Sequence, residues 1–168
     1  MAVSLAAPRG LSGLLPPLRA LVAVVLRGER RRPGEVGILL ADDARLRELN
    51  REWRGIDRAT DVISFAYDEA EADAAPRPVR GDLVVSLDRV HAQARRYRVT
   101  PGAELARLVA HGTLHLCGHD HARAAERAAM RAREATALRG GRAIVRALDR
   151  ALAAAAGRAA RDGTQPPR

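Results

Sequence analysis

The sequence predicts an α/β fold of the mixed α+β type, in which a single domain holds a small mixed sheet flanked by helices. Three observations predict this class. The length of 168 residues suits one domain of ordinary size. Apolar residues make up 47% of the chain, which is enough to form a core. Apolar runs of strand length also alternate with stretches in which apolar residues recur at helical spacing.

The first half of the chain contains two strand-like runs and the start signals of two helices. The Pro16–Pro17 pair suits the first turn of a helix, and Asp42 and Asp43 can cap the next one. The predicted elements, in order, are a helix from near Pro16 to Gly28, a strand at 35–41, a helix with Leu46, Leu49 and Trp53 on one face, a strand at 61–67 and a mobile loop at 68–80.

In the second half, Thr100 and Pro101 predict a helix start, with Thr at the cap and Pro in the first turn. The predicted elements, in order, are a strand at 81–87, a helix from Asp88 to near Val99, a helix from Thr100 towards His111, a helix at 122–139, a break at Gly140–Gly141, an amphipathic helix with Ile144, Val145, Leu148 and Leu152, and a disordered end at 157–168. We therefore divide the chain into a domain at 1–139 and a basic Ala/Arg-rich extension at 140–168, a helix followed by a disordered tail.

A histidine cluster carries the chemistry. Residues 111–121 read His-Gly-Thr-Leu-His-Leu-Cys-Gly-His-Asp-His. His111 and His115 are four residues apart, so on a helix they share a face, and Gly118 allows the chain to turn back so that His121 supplies a third nitrogen. Three imidazoles leave a fourth zinc position for water, the pattern of a catalytic zinc rather than a structural one. We expect one Zn²⁺ per chain, at a helix end.

The spacing H-x3-H-x5-H also matches the ligands of metzincin proteases, which place a Glu directly after the first His. Here that position is Gly112, so a peptidase would lack its base. Cys117 is either a soft ligand or, as we favour, a buried thiol. Asp120 is either a carboxylate that orients a ligand or a turn residue.

Three blocks of the sequence point to a known family. Residues 111–121 match His-Gly-x-Leu-His-Leu-x-Gly-Tyr-Asp-His except at His119. Residues 49–54 and 60–65 read Leu-Asn-Arg-Glu-Trp-Arg and Thr-Asp-Val-Ile-Ser-Phe, and residues 81–85 read Gly-Asp-Leu-Val-Val. In these blocks, and over roughly residues 35–139, the chain resembles the YbeY family of endoribonucleases, which are ribosomal RNA maturation factors.

The resemblance implies a zinc-dependent, single-strand-selective endoribonuclease that acts in small-subunit (16S) ribosomal RNA maturation and ribosome quality control. It implies a cytoplasmic protein that works on ribosomal RNA and the small ribosomal subunit, with ribosome-associated proteins as further partners, and we expect no role at a membrane or on DNA. Carried over by position, His111, His115 and His121 are the zinc ligands and Arg54 is the active-site arginine. His119 would be a packing change, a proton shuttle or a competing ligand, and we favour packing.

The expected mechanism is attack of metal-bound water on an RNA phosphate, with Arg54 stabilising the transition state. Asp61, Asp82 and His119 are candidate general bases. Three rival interpretations stay open: a zinc metalloprotease-like hydrolase, a non-catalytic ribosome assembly factor stabilised by zinc, and a processing factor that needs a partner to be active.

The net charge of +9 suggests a polyanionic partner, although compositional drift would also explain a chain whose 29 basic residues are all Arg. Residues 122–168 carry a net +7. We therefore expect the end of the chain to add salt-dependent RNA affinity without being needed for chemistry. Aromatic residues make up 2% of the chain, which disfavours binding that relies on base stacking.

Overall fold

The computed structural model describes residues 2–67, 78–120 and 123–161. Within these ranges a four-stranded sheet and six helices confirm the predicted α/β class. The elements are β1 (Ala2–Ala6), α1 (Leu15–Gly28), β2 (Pro33–Ala41), α2 (Asp43–Arg54), β3 (Val62–Ala66), β4 (Val79–Ser86), α3 (Leu87–Tyr97), α4 (Pro101–Leu116), α5 (Ala124–Gly140) and α6 (Arg142–Arg161). None of these helices is long and apolar enough to cross a membrane.

The sheet is mixed, with the strand order β1-β2-β4-β3. The first three strands in this order run parallel, while β3 runs antiparallel to β4 at the edge. Leu83 in β4 pairs with Ile38 on one side and with Ser64 on the other. β3 therefore lies beside β4, and α4 packs against both strands.

The two faces of the sheet are covered differently because successive side chains of a strand point to opposite faces. Leu83 and Val85 belong to the main core, which also contains the fully buried Leu105 and Leu108 of α4. Val84 belongs to a smaller cluster on the other face. That cluster also contains Leu46 and Leu49 of α2 and Ile63 of β3. Each buried leucine contributes about 1.5–3 kcal/mol, so α4 is firmly seated on one face of the sheet and α2 on the other.

Two differences from the predicted strands have physical reasons. β1 was not predicted, because its five residues form a strand by pairing in parallel with β2 rather than through a marked pattern of their own. β4 begins at Val79, inside the segment expected to be a loop, and Val79 is buried. Residues 68–77 of that expected loop lie outside the described residues.

The C-terminal helix α6 is longer and more integrated than predicted. The expectation of disorder from residue 157 is wrong for 157–161, which are helical, while 162–168 lie outside the described residues. Leu148 of α6 is fully buried in the main core. The Asp149 carboxylate accepts a 2.7 Å hydrogen bond from the backbone N–H of Gly102 at the start of α4. Helix α6 is therefore attached to the core of the preceding domain through Leu148 and Asp149.

Candidate metal centre

The two histidines of the predicted site lie in the last turns of α4. The Thr100 hydroxyl caps this helix by accepting from Ala103 N, and Gly118, with φ of +93°, turns the chain after it. The Nε2 atoms of His111 and His115 are 3.2 Å apart, and the two rings meet edge to face at 4.8 Å between centroids. Two imidazole nitrogens therefore converge at one point beside the helix, as the sequence spacing predicts.

Glu134 of α5 fixes the orientation of His111. The Nδ1 atom of His111 donates to the Glu134 Oε1 atom at 2.7 Å, and Glu134 is buried. Because Nδ1 carries the proton in this bond, the lone pair lies on Nε2, the atom that faces His115. A carboxylate behind a histidine in this way is the usual support of a metal ligand. Sequence reasoning missed Glu134.

His121 lies outside the described residues, so the third ligand stays a prediction. In the described part of the chain no cluster of three or more metal-binding side chains occurs. The donors that are present nevertheless fit zinc, since two imidazoles converge through Nε2 and one of them is oriented by a carboxylate.

Gly112 explains why the peptidase pattern fails at this site. This residue is buried against the sheet, where its carbonyl accepts a 3.3 Å hydrogen bond from the Ser64 hydroxyl. A Cβ atom added here would come within 2.9 Å of the Leu83 Cδ2 atom and 3.3 Å of the Val62 Cγ2 atom. The position has no space for the Glu of a metzincin, and it faces β3 and β4 rather than solvent.

Arg54, the predicted catalytic arginine, is the exposed last residue of α2. Gly55 ends the helix in the left-handed conformation, with φ of +68°. No hydrogen bond or ion pair of Arg54 is recorded among the described residues, and none joins it to His111 or His115. Its catalytic role stays a prediction.

The loop that follows Arg54 is held by a buried asparagine. Asn50 is 5% exposed, and its Nδ2 atom donates to the carbonyl of Arg58 at 2.7 Å. Arg47 and Asp57 add a two-pronged ion pair at 2.6 and 2.7 Å. These contacts give a structural role to the Leu-Asn pair of the sequence block and fix the path of the chain towards Asp61.

The structure separates the three candidate bases. Asp61 lines the same groove as His111. Asp82 is placed elsewhere, because it alternates with Leu83 in β4 and lies on the opposite face of the sheet, hydrogen-bonded to the Tyr67 hydroxyl. His119 donates to Glu29 at 2.6 Å, and its role in place of the usual Tyr stays a prediction.

We name the groove beside the site the histidine groove. It lies between α3, α4 and α5 and has a volume of about 590 Å³. Its inner wall contains Asp61, Gln93, Glu104, Arg107, His111 and Glu134. Cys117 is not among the residues that line the histidine groove. Burial raises the pKa of the Cys117 thiol to about 11, so near neutral pH the thiol is protonated. The side chain is partly buried.

The sequence of residues 18–140 matches the family model described as Endoribonuclease YbeY. The chain belongs to the YbeY family. A YbeY protein of Anaeromyxobacter sp. (strain Fw109-5) is 47% identical over 76% of this chain and 65% of its own length. One from Desulforamulus reducens is 42% identical over 72% of this chain and 82% of its own length.

The match covers less than two thirds of the Anaeromyxobacter relatives, 65% of one and 60% of another. Among solved structures, the solution structure of TM1509 from Thermotoga maritima is similar, with a TM-score of 0.57 and 26% identity over 99% of this chain and 98% of that one. The α/β fold predicted from the alternation of strand-like and helical stretches thus agrees with that of a solved structure.

Proposed function

We propose that this protein is a metal-dependent endoribonuclease that cleaves single-stranded RNA in the maturation of small-subunit ribosomal RNA and in ribosome quality control. The observation that carries the proposal is the pair His111 and His115, whose Nε2 atoms lie 3.2 Å apart in a chain of the YbeY family. Ribosomal RNA, the small ribosomal subunit and ribosome-associated proteins would be its partners, and the cytoplasm its compartment.

We propose zinc as the metal, one ion per chain, with His111, His115 and His121 as its ligands. When bound, zinc supplies a Lewis acid beside the scissile phosphate and an acidified water molecule. Glu134 holds the His111 ring by accepting from Nδ1, so that Nε2 is the ring nitrogen that would act as a ligand. Gly112 faces β3 and β4, whereas His111 lines the groove.

Arg54 would bind the phosphate and stabilise the charge that develops on it, because a guanidinium can donate two hydrogen bonds to phosphate oxygens. Arg54 is exposed at the end of α2 and makes no recorded ion pair in the described part of the chain, so its guanidinium is accessible to an anion. Of the candidate bases, Asp61 is favoured. It shares the groove with His111, and its Oδ2 atom accepts from Gln93 at 3.3 Å, which orients the carboxylate.

Three alanine variants test the proposal. His115→Ala should lose the bound zinc and the cleavage of single-stranded RNA. Arg54→Ala should keep the zinc and cleave about 10²–10³-fold more slowly, as when a transition-state donor is removed. The matched control is His91→Ala, because His91 is exposed on α3, outside the cluster. Zinc content, melting temperature and cleavage rate are measured on each protein, and a folded His115→Ala protein that cuts RNA at the parental rate would refute the mechanism.

A further inference from the structure

Arg107 extends the row of site residues along α4. Arg107, His111 and His115 are spaced four residues apart on one helix, so they lie on one face. Each step corresponds to about 6 Å along the helix axis. Arg107 is about one third exposed, with 34% of its side chain accessible, and it lines the histidine groove. A ligand held at His111 would therefore have Arg107 as its neighbour.

The guanidinium of Arg107 is held in place by two partners. Its Nε atom donates to both oxygens of Glu104 at 3.1 Å, and its Nη2 atom donates to Glu104 at 2.6 Å and to Gln93 Oε1 at 3.0 Å. Burial acts to lower the pKa of Arg107, but the hydrogen bond with Glu104 outweighs it and the pKa is raised. Arg107 is therefore a permanent, fixed cation.

One end of this guanidinium has no hydrogen-bond partner among the residues that the structure describes. No hydrogen bond of the Arg107 Nη1 atom is recorded among the described residues, whereas Nε and Nη2 are both used. Its two N–H groups thus stay available to an acceptor in the groove. A fixed guanidinium with free donors binds phosphate at a lower entropic cost than a mobile surface arginine does.

The two buried acids of the groove are each engaged by a neighbouring donor. Glu104 is ion-paired with Arg107, and Glu134 accepts a hydrogen bond from His111. At the rim of the groove lie Arg127 and Arg131, which are exposed, and Tyr97, which is 55% exposed. The partly exposed acid in the groove is Asp61, which Gln93 and the Arg107 Nη2 atom, 3.8 Å away, partly compensate.

We propose that the histidine groove binds the nucleotide next to the scissile phosphate of single-stranded RNA. Arg107 would bind the flanking phosphate through Nη1, Arg131 would add a contact at the rim, and the base would stack on Tyr97. A volume of about 590 Å³ is in the range of small-ligand sites, about 300–1,000 Å³. This inference rests on the proposed endoribonuclease function and adds its substrate-binding surface.

The test uses a pair of matched double variants. Arg107→Gln/Glu104→Gln removes the cation without leaving a buried carboxylate unpaired. Its control is Arg45→Gln/Glu48→Gln, which removes another ion pair three residues apart, on the exposed surface of α2. Neither double variant changes the net charge, so general attraction to RNA stays the same in both. Tyr97→Ala is a third variant, whose exposed position should leave folding intact.

Binding of a labelled single-stranded RNA is measured by fluorescence anisotropy on the full-length, zinc-free protein, at several salt concentrations. The Arg107→Gln/Glu104→Gln variant should raise Kd about tenfold. It should also lower the slope of log K against log salt by about 0.7, the value for one phosphate contact. Tyr97→Ala should raise Kd at least about fivefold, as expected for one lost stack. The control should bind like the parent.

Cleavage by the zinc-loaded parent separates the two proposals. If the parent does not cut RNA, the proposed function fails. If the parent cuts RNA, while Tyr97→Ala and a folded Arg107→Gln/Glu104→Gln protein keep Kd within twofold of it, only the groove assignment is overturned. Unchanged RNA binding together with weaker binding of purified, RNA-free ribosomal proteins would likewise overturn it and assign the groove to a protein partner.

Discussion

At the scale of single residues, the site depends on one position with no side chain. Gly112 lies between the two histidines in sequence but faces the sheet, where Ser64, Val62 and Leu83 surround it. The contacts of a Cβ atom here would be tighter than ordinary packing allows. The close approach of α4 to β3 therefore needs glycine for reasons of space.

Gly112→Ala should lower the free energy of unfolding by about 1–3 kcal/mol, because the added methyl group overpacks the core. The matched control is Gly28→Ala, at the end of α1, where an added Cβ meets nothing within 4 Å. That change should be neutral or stabilising by up to about 1 kcal/mol. Urea denaturation of the two variants measures both values, and equal stabilities would show that Gly112 is not tightly packed.

Side-chain contacts could be predicted from the sequence where both residues lie close together on one helix. His111 and His115 could be found because helical spacing alone places them on one face. Glu134 could not, because its bond to His111 spans 23 residues and depends on how α5 packs on α4. The Arg107–Glu104–Gln93 contacts were missed for the same reason, since Gln93 comes from a different helix.

At the scale of elements, Glu29 ties three segments together. It follows α1, and its carboxylate accepts from His119 in the turn after α4 at 2.6 Å and from Arg133 of α5 at 2.9 and 3.0 Å. Burial acts to raise the pKa of Glu29, but the hydrogen bonds from His119 and Arg133 outweigh it. The pKa of Glu29 therefore lies below its ordinary value of 4.5.

A lowered carboxyl pKa stabilises the fold above the unfolded value, and this contribution is lost as the pH falls through the folded value. Glu29→Gln should therefore be less stable than the parent above about pH 4.5, and the difference should shrink at lower pH. The control is Glu35→Gln, whose carboxylate is exposed and makes only a 3.4 Å ion pair with Arg80. Thermal melts across pH 3–7 follow the difference, and a gap that does not change with pH would refute the role of this carboxylate.

Element boundaries were predicted well where capping residues mark them. Thr100 and Pro101 begin α4, Asp42 caps α2, and Gly118 turns the chain, all as the sequence indicates. β1 was missed because a short strand at the edge of a sheet is stabilised by its partner, not by its own sequence. Local signals thus predict helix ends better than they predict strand pairing.

At the scale of the whole molecule, α6 belongs to the core that carries the site. Leu148→Ala should lower the free energy of unfolding by about 2–5 kcal/mol, because it leaves a cavity among fully buried residues. Arg146→Ala, an exposed change on the same helix, should stay within about 0.5 kcal/mol of the parent. Denaturant melts distinguish the two, and similar values would mean that α6 is only loosely attached.

The composition of the whole chain was a weaker guide than its motifs. Few aromatic residues argued against base stacking, yet Tyr97 stands exposed at the rim of the histidine groove. The count of aromatic side chains could not show where one of them would be placed. The concentration of charge after residue 121 was likewise visible in the sequence, but the burial of Leu148 of α6 in the main core was not.

The contact between Gly102 and Asp149 joins the start of α4 to α6, the last helix. A side chain at 102 would meet the Asp149 carboxylate at 2.5 Å and its backbone nitrogen at 2.7 Å. Asp149 of α6 can therefore approach the start of α4 this closely only because residue 102 has no side chain. A chimaera that takes α6 from one relative and α4 from another would have to inherit both residues. In protein engineering, the histidine-bearing helix and the last helix should therefore be exchanged together.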